Sequence, residues 1–286
     1  MKRAIQKAET LVEALPYIKE FSGSTIVIKY GGSAMNDQDL RESTLKDIVL
    51  LKYLGMRPVI VHGGGKHISE LLKQVGKEVK FLDGLRVTDK ETMKFTQMVL
   101  AGQINKDMVS DIHKAGGKAC GLSGKDGHLL EAKKMDSGSK DYGFVGEITQ
   151  VNTELIDLVH SGGFIPVISP IAVSAEGDSL NINADIAAAE IAIALNAEKI
   201  IYLTDVNGIL RNVDDPTSTI SHLTPSEVEV LDKEGILNEG MVPKMKSCIR
   251  AIKLGVKKVH IINGTTPHSM LLEIFTQSGI GTEIVA

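Results

Sequence analysis

Six apolar runs of strand length recur along the chain, near residues 25–30, 57–61, 117–121, 164–168, 199–204 and 257–262. Between many of them apolar residues return at helical spacing, near 37–54, 65–75, 89–114, 152–161, 184–196, 241–254 and 267–276. Strands alternating with helices predict an α/β fold with an open, mostly parallel central sheet sandwiched by helices. Two stretches break the rhythm. Residues 125–150 carry short alternating segments separated by Asp-Gly and Ser-Gly turns, and 171–182 turn at Glu176-Gly177-Asp178. Both predict β-hairpins.

No repeat, low-complexity tract or Ser/Pro-rich linker divides the chain, so any lobes must share one sheet. The start of an Ala-rich helix sets the expected division, with one lobe over 23–184 and a second over 185–286. Residues 1–22 stand apart. There Ala4, Ile5, Ala8, Leu11, Val12 and Leu15 fall on one helical stripe that Pro16 breaks. Such a stripe either packs on its own domain or forms an apolar arm that docks on another subunit.

At 286 residues the chain can bury a large core, and 43% hydrophobic with 24% charged residues is ordinary for a globular protein. A net charge of −4, 4% aromatic residues and no Trp argue against nucleic-acid binding. The apolar runs are too short to cross a bilayer, and Lys7, Glu9 and Glu13 interrupt any signal-peptide core. Glu9, Glu13 and Glu20 also argue against an organelle transit peptide. Cys120 and Cys248 belong to no Cys/His cluster of metal-ligand spacing and are expected as reduced thiols. The expectation is a cytoplasmic protein with no membrane partner and no protein-held metal.

Candidate chemistry concentrates where strands end in glycine. Thr25-Ile-Val-Ile-Lys29-Tyr30 runs into Gly31-Gly32-Ser33, and Pro58-Val-Ile-Val-His62 runs into Gly63-Gly64-Gly65. Glycine lets bare backbone N–H groups approach an anion, and a helix N-terminus favours negative charge. Lys29 lies inside an apolar run, where an ammonium is costly unless an anion compensates it. Lysine and free amides together can neutralise a transferring phosphoryl group. Three glycines after His62 suit a backbone cradle, with His62 itself structural rather than an acid or base. Ahead of the Ala-rich helix, Asn183 reads as an N-cap and Asp185 as a first-turn acid. Asn181 and Asn183 point the same way along an extended segment, where two amides can grip a small polar ligand. Lys244 follows Pro243 in the first turn of another helix, a position that opposes the macrodipole unless an anion binds there. Two neighbouring anion sites are the geometry a phosphoryl transferase requires. No P-loop, protein-kinase HRD or DFG set, G-x-G-x-x-G or G-x-S-x-G is present.

With these residues in order, the chain resembles the amino-acid kinase family over essentially its full length, in the branch acting on acylated glutamate. The matching segments are Lys29-Tyr-Gly-Gly-Ser, His62-Gly-Gly-Gly, Asp83-Gly-Leu-Arg86-Val-Thr, Asn181-Ile-Asn-Ala-Asp185, Leu203-Thr-Asp-Val-Asn-Gly208 and Gly240-Met-Val-Pro-Lys244. The resemblance implies phosphoryl transfer from ATP, carried with Mg²⁺, to the γ-carboxylate of N-acetyl-L-glutamate, giving an acyl phosphate for arginine synthesis. It implies that Lys29 and Lys244 stabilise the phosphoryl group in flight while Asp185 orients both. Gly31 and Gly32 would face phosphate, and Gly64 and Gly65 would hold the acceptor through backbone N–H groups. Arg86 would pair with the α-carboxylate, and Asn181 and Asn183 would bind the acylated amino-acid part. Thr204, Asp205 and Gly208 would lie on the nucleotide side. The first lobe would take acylglutamate and the second ATP. Asn207 and the pair Lys66-His67 depart from the family's patterns.

Family members inhibited by arginine resemble this chain further. They carry an N-terminal helix that interlaces dimers into a hexamer, a trimer of dimers. On that likeness His260, Glu273 and Gly279, with Tyr17 and Lys199, would bind arginine as an effector. Two other readings stay open: a kinase for an N-acylated aminoadipate, longer by one methylene, and a catalytically silent arginine-sensing module. Retention of Lys29, Lys244 and Asp185 argues against the silent one.

Overall fold

A computed structural model describes residues 1–32, 35, 37–136, 138, 140–212, 215, 218–237, 241–276 and 279–286, without the side chains of Arg3, Ala4 and Lys7. Ser33 and Gly240 of the matching segments, and the Ala4 side chain of the apolar stripe, lie outside the described residues. The chain begins with helices α1 (Lys2–Glu13) and α2 (Leu15–Phe21), strand β1 (Thr25–Tyr30), α3 (Gln38–Tyr53), β2 (Arg57–His62) and α4 (Gly65–Gln74). A hairpin of β3 (Phe81–Leu82) and β4 (Leu85–Arg86) precedes α5 (Lys90–Gln97) and α6 (Asn105–Lys114). Next come β5 (Ala119–Ser123), β6 (Leu130–Lys134), β7 (Gly146–Val151), α7 (Glu154–Ser161), β8 (Ile165–Ser169), β9 (Ile171–Val173) and β10 (Ser179–Asn181). The remainder comprises α8 (Ala184–Ala194), β11 (Lys199–Thr204), β12 (His222–Leu223), α9 (Pro225–Lys233), α10 (Met241–Lys253), β13 (Lys258–Asn263), α11 (Ser269–Phe275) and β14 (Thr282–Val285).

Eight strands form one sheet in the order β12-β14-β13-β11-β1-β2-β8-β5. From β13 to β5 the strands are parallel, as the alternation of elements predicts, and only β14 with its partner β12 runs the other way. The two predicted hairpins are the antiparallel pairs β6–β7 and β9–β10, joined into a second sheet of four strands.

Alternation along the strands decides where each polar residue faces. Val27, Val59, Ile200 and Val259 pack on one side with α7, α8 and α10. Ile26, Ile28, Ile60 and Ile201 pack on the other with α3, α6 and α11. Lys29 therefore shares the side of Val27, toward α8 and α10, whereas Lys199 shares the side of Ile201. Helix α8 packs against both the sheet and α10, and its buried Ala187, Ala188, Ala189 and Ala192 let both approach closely.

The structure refines several expectations. The long predicted helix 89–114 is α5 and α6 joined by a π-helical stretch, Met98–Ile104, which turns Leu100 and Ile104 toward Gly64. Pro16 does not end helical structure; it sits in the first turn of α2, where the missing N–H is no loss. In α1 and α2 the stripe residues Ile5, Leu11, Val12 and Leu15 are all at least 50% exposed, so the single chain leaves this face uncovered. Strands β12 and β14 and helix α9 have no counterpart in the sequence reading. The start of α9 was readable, because Thr224-Pro225-Ser226-Glu227 forms a capping box with proline in the first turn. Among the described residues no helix is long and apolar enough to cross a membrane.

Candidate active site

Strands β1 and β2 end side by side, Tyr30 opposite His62, so both glycine loops open at the same edge of the sheet. Gly63 N–H donates to the Tyr30 carbonyl at 2.9 Å and ties one loop to the other strand. Between these loops, the start of α8 and the β3–β4 hairpin lies a cavity of about 270 Å³. Lys29, Gly31, Gly32, Gly64, Gly65, Arg86, Asn181, Asn183 and Asp185 all border it. Residues expected from separate segments thus meet in one place.

Asp185 sits in the first turn of α8 between two ammonium groups. Lys244 Nζ donates to its Oδ2 at 2.6 Å, and Lys29 Nζ lies 3.1 Å from Oδ1 as an ion pair without hydrogen-bond alignment. All three side chains are largely buried, at 9%, 14% and 17% exposure for Lys244, Lys29 and Asp185. Burial alone would push the Asp185 carboxyl up, but the two ammonium groups outweigh it and hold its pKa down to about 2. Burial pushes the Lys244 ammonium down, against the pull of Asp185. The Tyr202 ring faces Lys244 with its centroid 5.0 Å from Nζ, and its hydroxyl donates to the Asp185 carbonyl at 3.1 Å. Two cations to one anion leave the cluster net positive; Lys29 and Asp185 border the cavity and the buried Lys244 does not, an arrangement suited to an anionic ligand beside Lys29.

The loops are shaped to keep the Lys29 ammonium accessible. A Cβ on Gly31 would lie 2.5 Å from Lys29 Nζ, so a side chain there would displace the ammonium. Gly32 has φ of +78°, a conformation that other residues rarely take, and faces the Asp205 carboxylate. Asn183 caps α8 as predicted, its Oδ1 accepting from the N–H groups of Asp185 at 2.8 Å and Ile186 at 3.3 Å. Asn181 Nδ2 donates to Thr88 Oγ1 at 3.2 Å. Arg86 is 7% exposed; its Nη2 donates to the Gly65 carbonyl at 2.7 Å and to Ser69 Oγ at 2.8 Å. The Arg86 guanidinium also stacks 4.8 Å over Phe81, while Nη1 is buried with no hydrogen-bond partner among the described residues.

Sequence reasoning missed Phe81 and Leu85, which border the cavity from the hairpin, and Tyr202 behind Lys244. The hairpin had a signal: Asp83-Gly84 with φ of 50° and 77° is the two-residue turn that Asp-Gly favours. Leu100, presented by the π-helical stretch, had none. Asp205 borders an adjoining cavity of about 390 Å³ with Gly32, Gly64, Gly65, Lys66 and His67. Thr204 and Gly208 border neither cavity; Thr204 Oγ1 donates to the Ile262 carbonyl at 3.2 Å, and Gly208 packs on Thr282.

On the other face of the sheet, Tyr17, Lys199, His260, Glu273 and Gly279 all border one cavity of about 290 Å³. Lys199 Nζ donates to His260 Nε2 at 3.4 Å, and His260 Nδ1 contacts Glu273 Oε1 at 2.5 Å. Burial pushes the Lys199 ammonium down. Burial would also raise Glu273, but His260 beside it prevails and its pKa is lowered. Gly279, at φ of +58°, lets the chain pass the Glu273 carboxylate. Glu20, Lys258 and Glu283, also in this wall, were missed. Lys29 pairs in register with Tyr202, three positions beyond Lys199 on the parallel β11, so the two cavities lie toward opposite strand ends as well as on opposite faces.

The family model described as the Amino acid kinase family matches residues 24–263. An acetylglutamate kinase of Caldanaerobacter subterraneus subsp. tengcongensis is 55% identical over 280 residues, 98% of this chain and 93% of that protein. One of Aquifex aeolicus is 53% identical over 298 residues, 99% of each. Among solved structures, N-acetylglutamate synthase from Neisseria gonorrhoeae complexed with coenzyme A and N-acetyl-glutamate aligns with a TM-score of 0.87 at 28% identity. That alignment covers 98% of this chain and 63% of the synthase, so the chain spans less than two thirds of it. The same synthase complexed with coenzyme A and L-arginine aligns with a TM-score of 0.81 at 28% identity, covering 97% and 65%.

Asp185 carries a pH prediction. Its pKa is lower in the folded protein, so the stability it supplies is present above the unfolded aspartate pKa of about 4 and is lost as pH falls toward about 2. In urea unfolding, Asp185→Asn should cost about 2 kcal/mol at pH 6 and roughly half that at pH 3. A cost independent of pH over this range would contradict the charge arrangement.

Proposed function

Because this chain belongs to the amino acid kinase family, we propose that it transfers the γ-phosphoryl group of ATP to the γ-carboxylate of N-acetyl-L-glutamate. It is an enzyme, a kinase. The observation that carries the substrate reading is the Lys29–Asp185–Lys244 cluster, whose Lys29 and Asp185 border a cavity where Arg86 Nη1 has no hydrogen-bond partner among the described residues.

The nucleophile is a carboxylate, already ionised at neutral pH, so the reaction needs no general base. Positioning and charge neutralisation remain, and the chain's own residues supply them. Lys29 and Lys244 neutralise charge on the transferring group, and Asp185 keeps both ammonium groups at the reaction axis. Gly31 and Gly32 offer amides to phosphate oxygens. Gly64 and Gly65 hold the acceptor carboxylate at the start of α4. The unpartnered Nη1 of Arg86 takes the α-carboxylate, for which its planar fork is suited. Asn183, with its oxygen committed to the helix cap, presents Nδ2 to the acetamido group, and Asn181 presents Oδ1.

In this reading residues 23–184 bind acylglutamate and 185–286 bind ATP, with Thr204, Asp205 and Gly208 on the nucleotide side. Mg²⁺ accompanies ATP as part of the substrate. No group of three or more His, Cys, Asp or Glu among the described residues could hold a metal; the fit is to an ion held mainly by triphosphate oxygens. The product belongs to amino-acid biosynthesis, toward arginine, in the cytoplasm.

The second cavity is proposed to bind arginine as a feedback inhibitor. Glu273 and Glu283 supply carboxylates for a guanidinium, and Lys199 and Lys258 supply donors for an α-carboxylate. The uncovered stripe of α1 and α2 supports residues 1–22 as an arm between subunits, assembling dimers into a hexamer.

With MgATP and N-acetyl-L-glutamate the protein should release ADP. The acylated aminoadipate should react about 10–200-fold less efficiently, the discrimination one methylene allows, and L-arginine should slow turnover. No ADP release would overturn the substrate reading, and turnover indifferent to arginine would overturn the regulatory one alone. Deleting residues 1–20 should convert hexamers to active dimers in sedimentation; a truncated protein still sedimenting as a hexamer would remove the arm from the assembly.

A further inference from the structure

We propose that His62 is a positioning residue: held in one tautomer by Asn105, it orients the Gly63–Gly64 peptide of the glycine cradle. The inference rests on the reading that Gly64 and Gly65 hold the acceptor. His62 ends β2, is fully buried and does not border the cavity, whereas Gly63, Gly64 and Gly65 do. Its Nδ1 lies 2.9 Å from the Gly63 carbonyl and its Nε2 3.2 Å from Asn105 Nδ2.

Asn105 itself is fully buried, at the junction of the π-helical stretch and α6. Its Nδ2 also lies 2.9 Å from the Val167 carbonyl and 3.2 Å from the Leu122 carbonyl, three acceptors around two N–H groups, while its Oδ1 accepts from Lys106 Nζ at 3.1 Å. Turning the amide over would set its oxygen against two carbonyls, so the donor must face His62. A proton on Nε2 would point at that NH2 group, so Nε2 is the bare nitrogen, and a neutral imidazole then carries its proton on Nδ1 and donates it to the Gly63 carbonyl. Burial pushes the His62 pKa down to about 4, which keeps the ring neutral in ordinary conditions.

The consequence lies in the backbone. Gly63 N–H is held by the Tyr30 carbonyl and Gly63 C=O by His62, so the peptides on both sides of Gly63 are fixed. In a planar trans peptide the C=O of Gly63 and the N–H of Gly64 point opposite ways. Anchoring the carbonyl on the buried ring thus aims the Gly64 N–H away from it. Side chains Leu100 and Ile104 close off the space that a Cβ on Gly64 would need. The cradle amide is oriented before any ligand arrives.

Two substitutions separate positioning from packing. In His62→Asn the side-chain amide nitrogen takes the place of Nδ1 and still reaches the Gly63 carbonyl; in His62→Gln it takes the place of Nε2 and does not. By calorimetry on the full chain, His62→Asn should bind N-acetyl-L-glutamate within about threefold of the unsubstituted protein. His62→Gln should bind about tenfold or more weakly, the loss of one buried hydrogen bond, and both should bind ATP unchanged. Equal affinities for all three proteins, or equal losses for both ligands in both variants, would overturn the proposal. Nitrogen NMR of the unsubstituted protein gives a readout that needs no variant and no ligand: His62 should show the Nδ1–H tautomer, and Nε2–H would overturn the proposal. If the unsubstituted protein does not bind N-acetyl-L-glutamate, the acceptor reading fails, while the tautomer still decides the positioning.

Discussion

A carboxylate held between two ammonium groups sets the terms for the whole site. Taking an ion out of water costs several kcal/mol, and Asp185 is largely buried, so its charge persists only because Lys29 and Lys244 are beside it. The converse holds for Lys244, whose ammonium burial pushes down against the pull of the carboxylate. Each partner comes from a different element: Lys29 from β1, Asp185 from α8 and Lys244 from α10. Holding the three together therefore needs β1 at the centre of the sheet and an alanine-rich α8 thin enough to bring α10 close. The glycine loops complete the arrangement, since a side chain at Gly31 would push the Lys29 ammonium away.

The strand period of two gives the chain two separate polar sites on one sheet. Lys29 and Lys199 occupy neighbouring parallel strands, yet they point to opposite faces and sit toward opposite strand ends. One face carries the cavity of the proposed reaction; the other carries Lys199, His260 and Glu273. In the proposed scheme, arginine would act across the sheet rather than by competing for the acylglutamate cavity. Helix α11, which carries Glu273, also packs on α3, where His268 at its start pairs with buried Asp47 at 2.7 Å. The second cavity is thus lined in part by the helix that contacts α3.

The parallel sheet, the two glycine loops and Lys29, Asp185 and Lys244 as separate candidates were legible because each leaves a local mark, whereas the meeting of the three came from family resemblance. An apolar run, a glycine where it ends, or a lysine where burial is costly can be read one residue at a time. The five residues of the second cavity came from family resemblance, not from a local pattern. What escaped depends on partners distant in sequence. Strands β12 and β14 are short and become strands through pairing with each other and with β13. The π-helical stretch keeps ordinary helical periodicity to the eye, yet it decides that Leu100 and Ile104 meet Gly64. Asn105 looks like any polar residue in a helix until the fold places Leu122, Val167 and His62 around it.

In the proposed reaction Lys29 acts on the phosphoryl group during transfer, not on either ground-state ligand. Steady-state kinetics of Lys29→Ala with ATP and N-acetyl-L-glutamate test this directly. The account predicts a fall in kcat of about 10²–10³ with both KM values within a few-fold of the unsubstituted enzyme. A variant that keeps its kcat while KM for either substrate rises would show that Lys29 serves binding alone, and would contradict it.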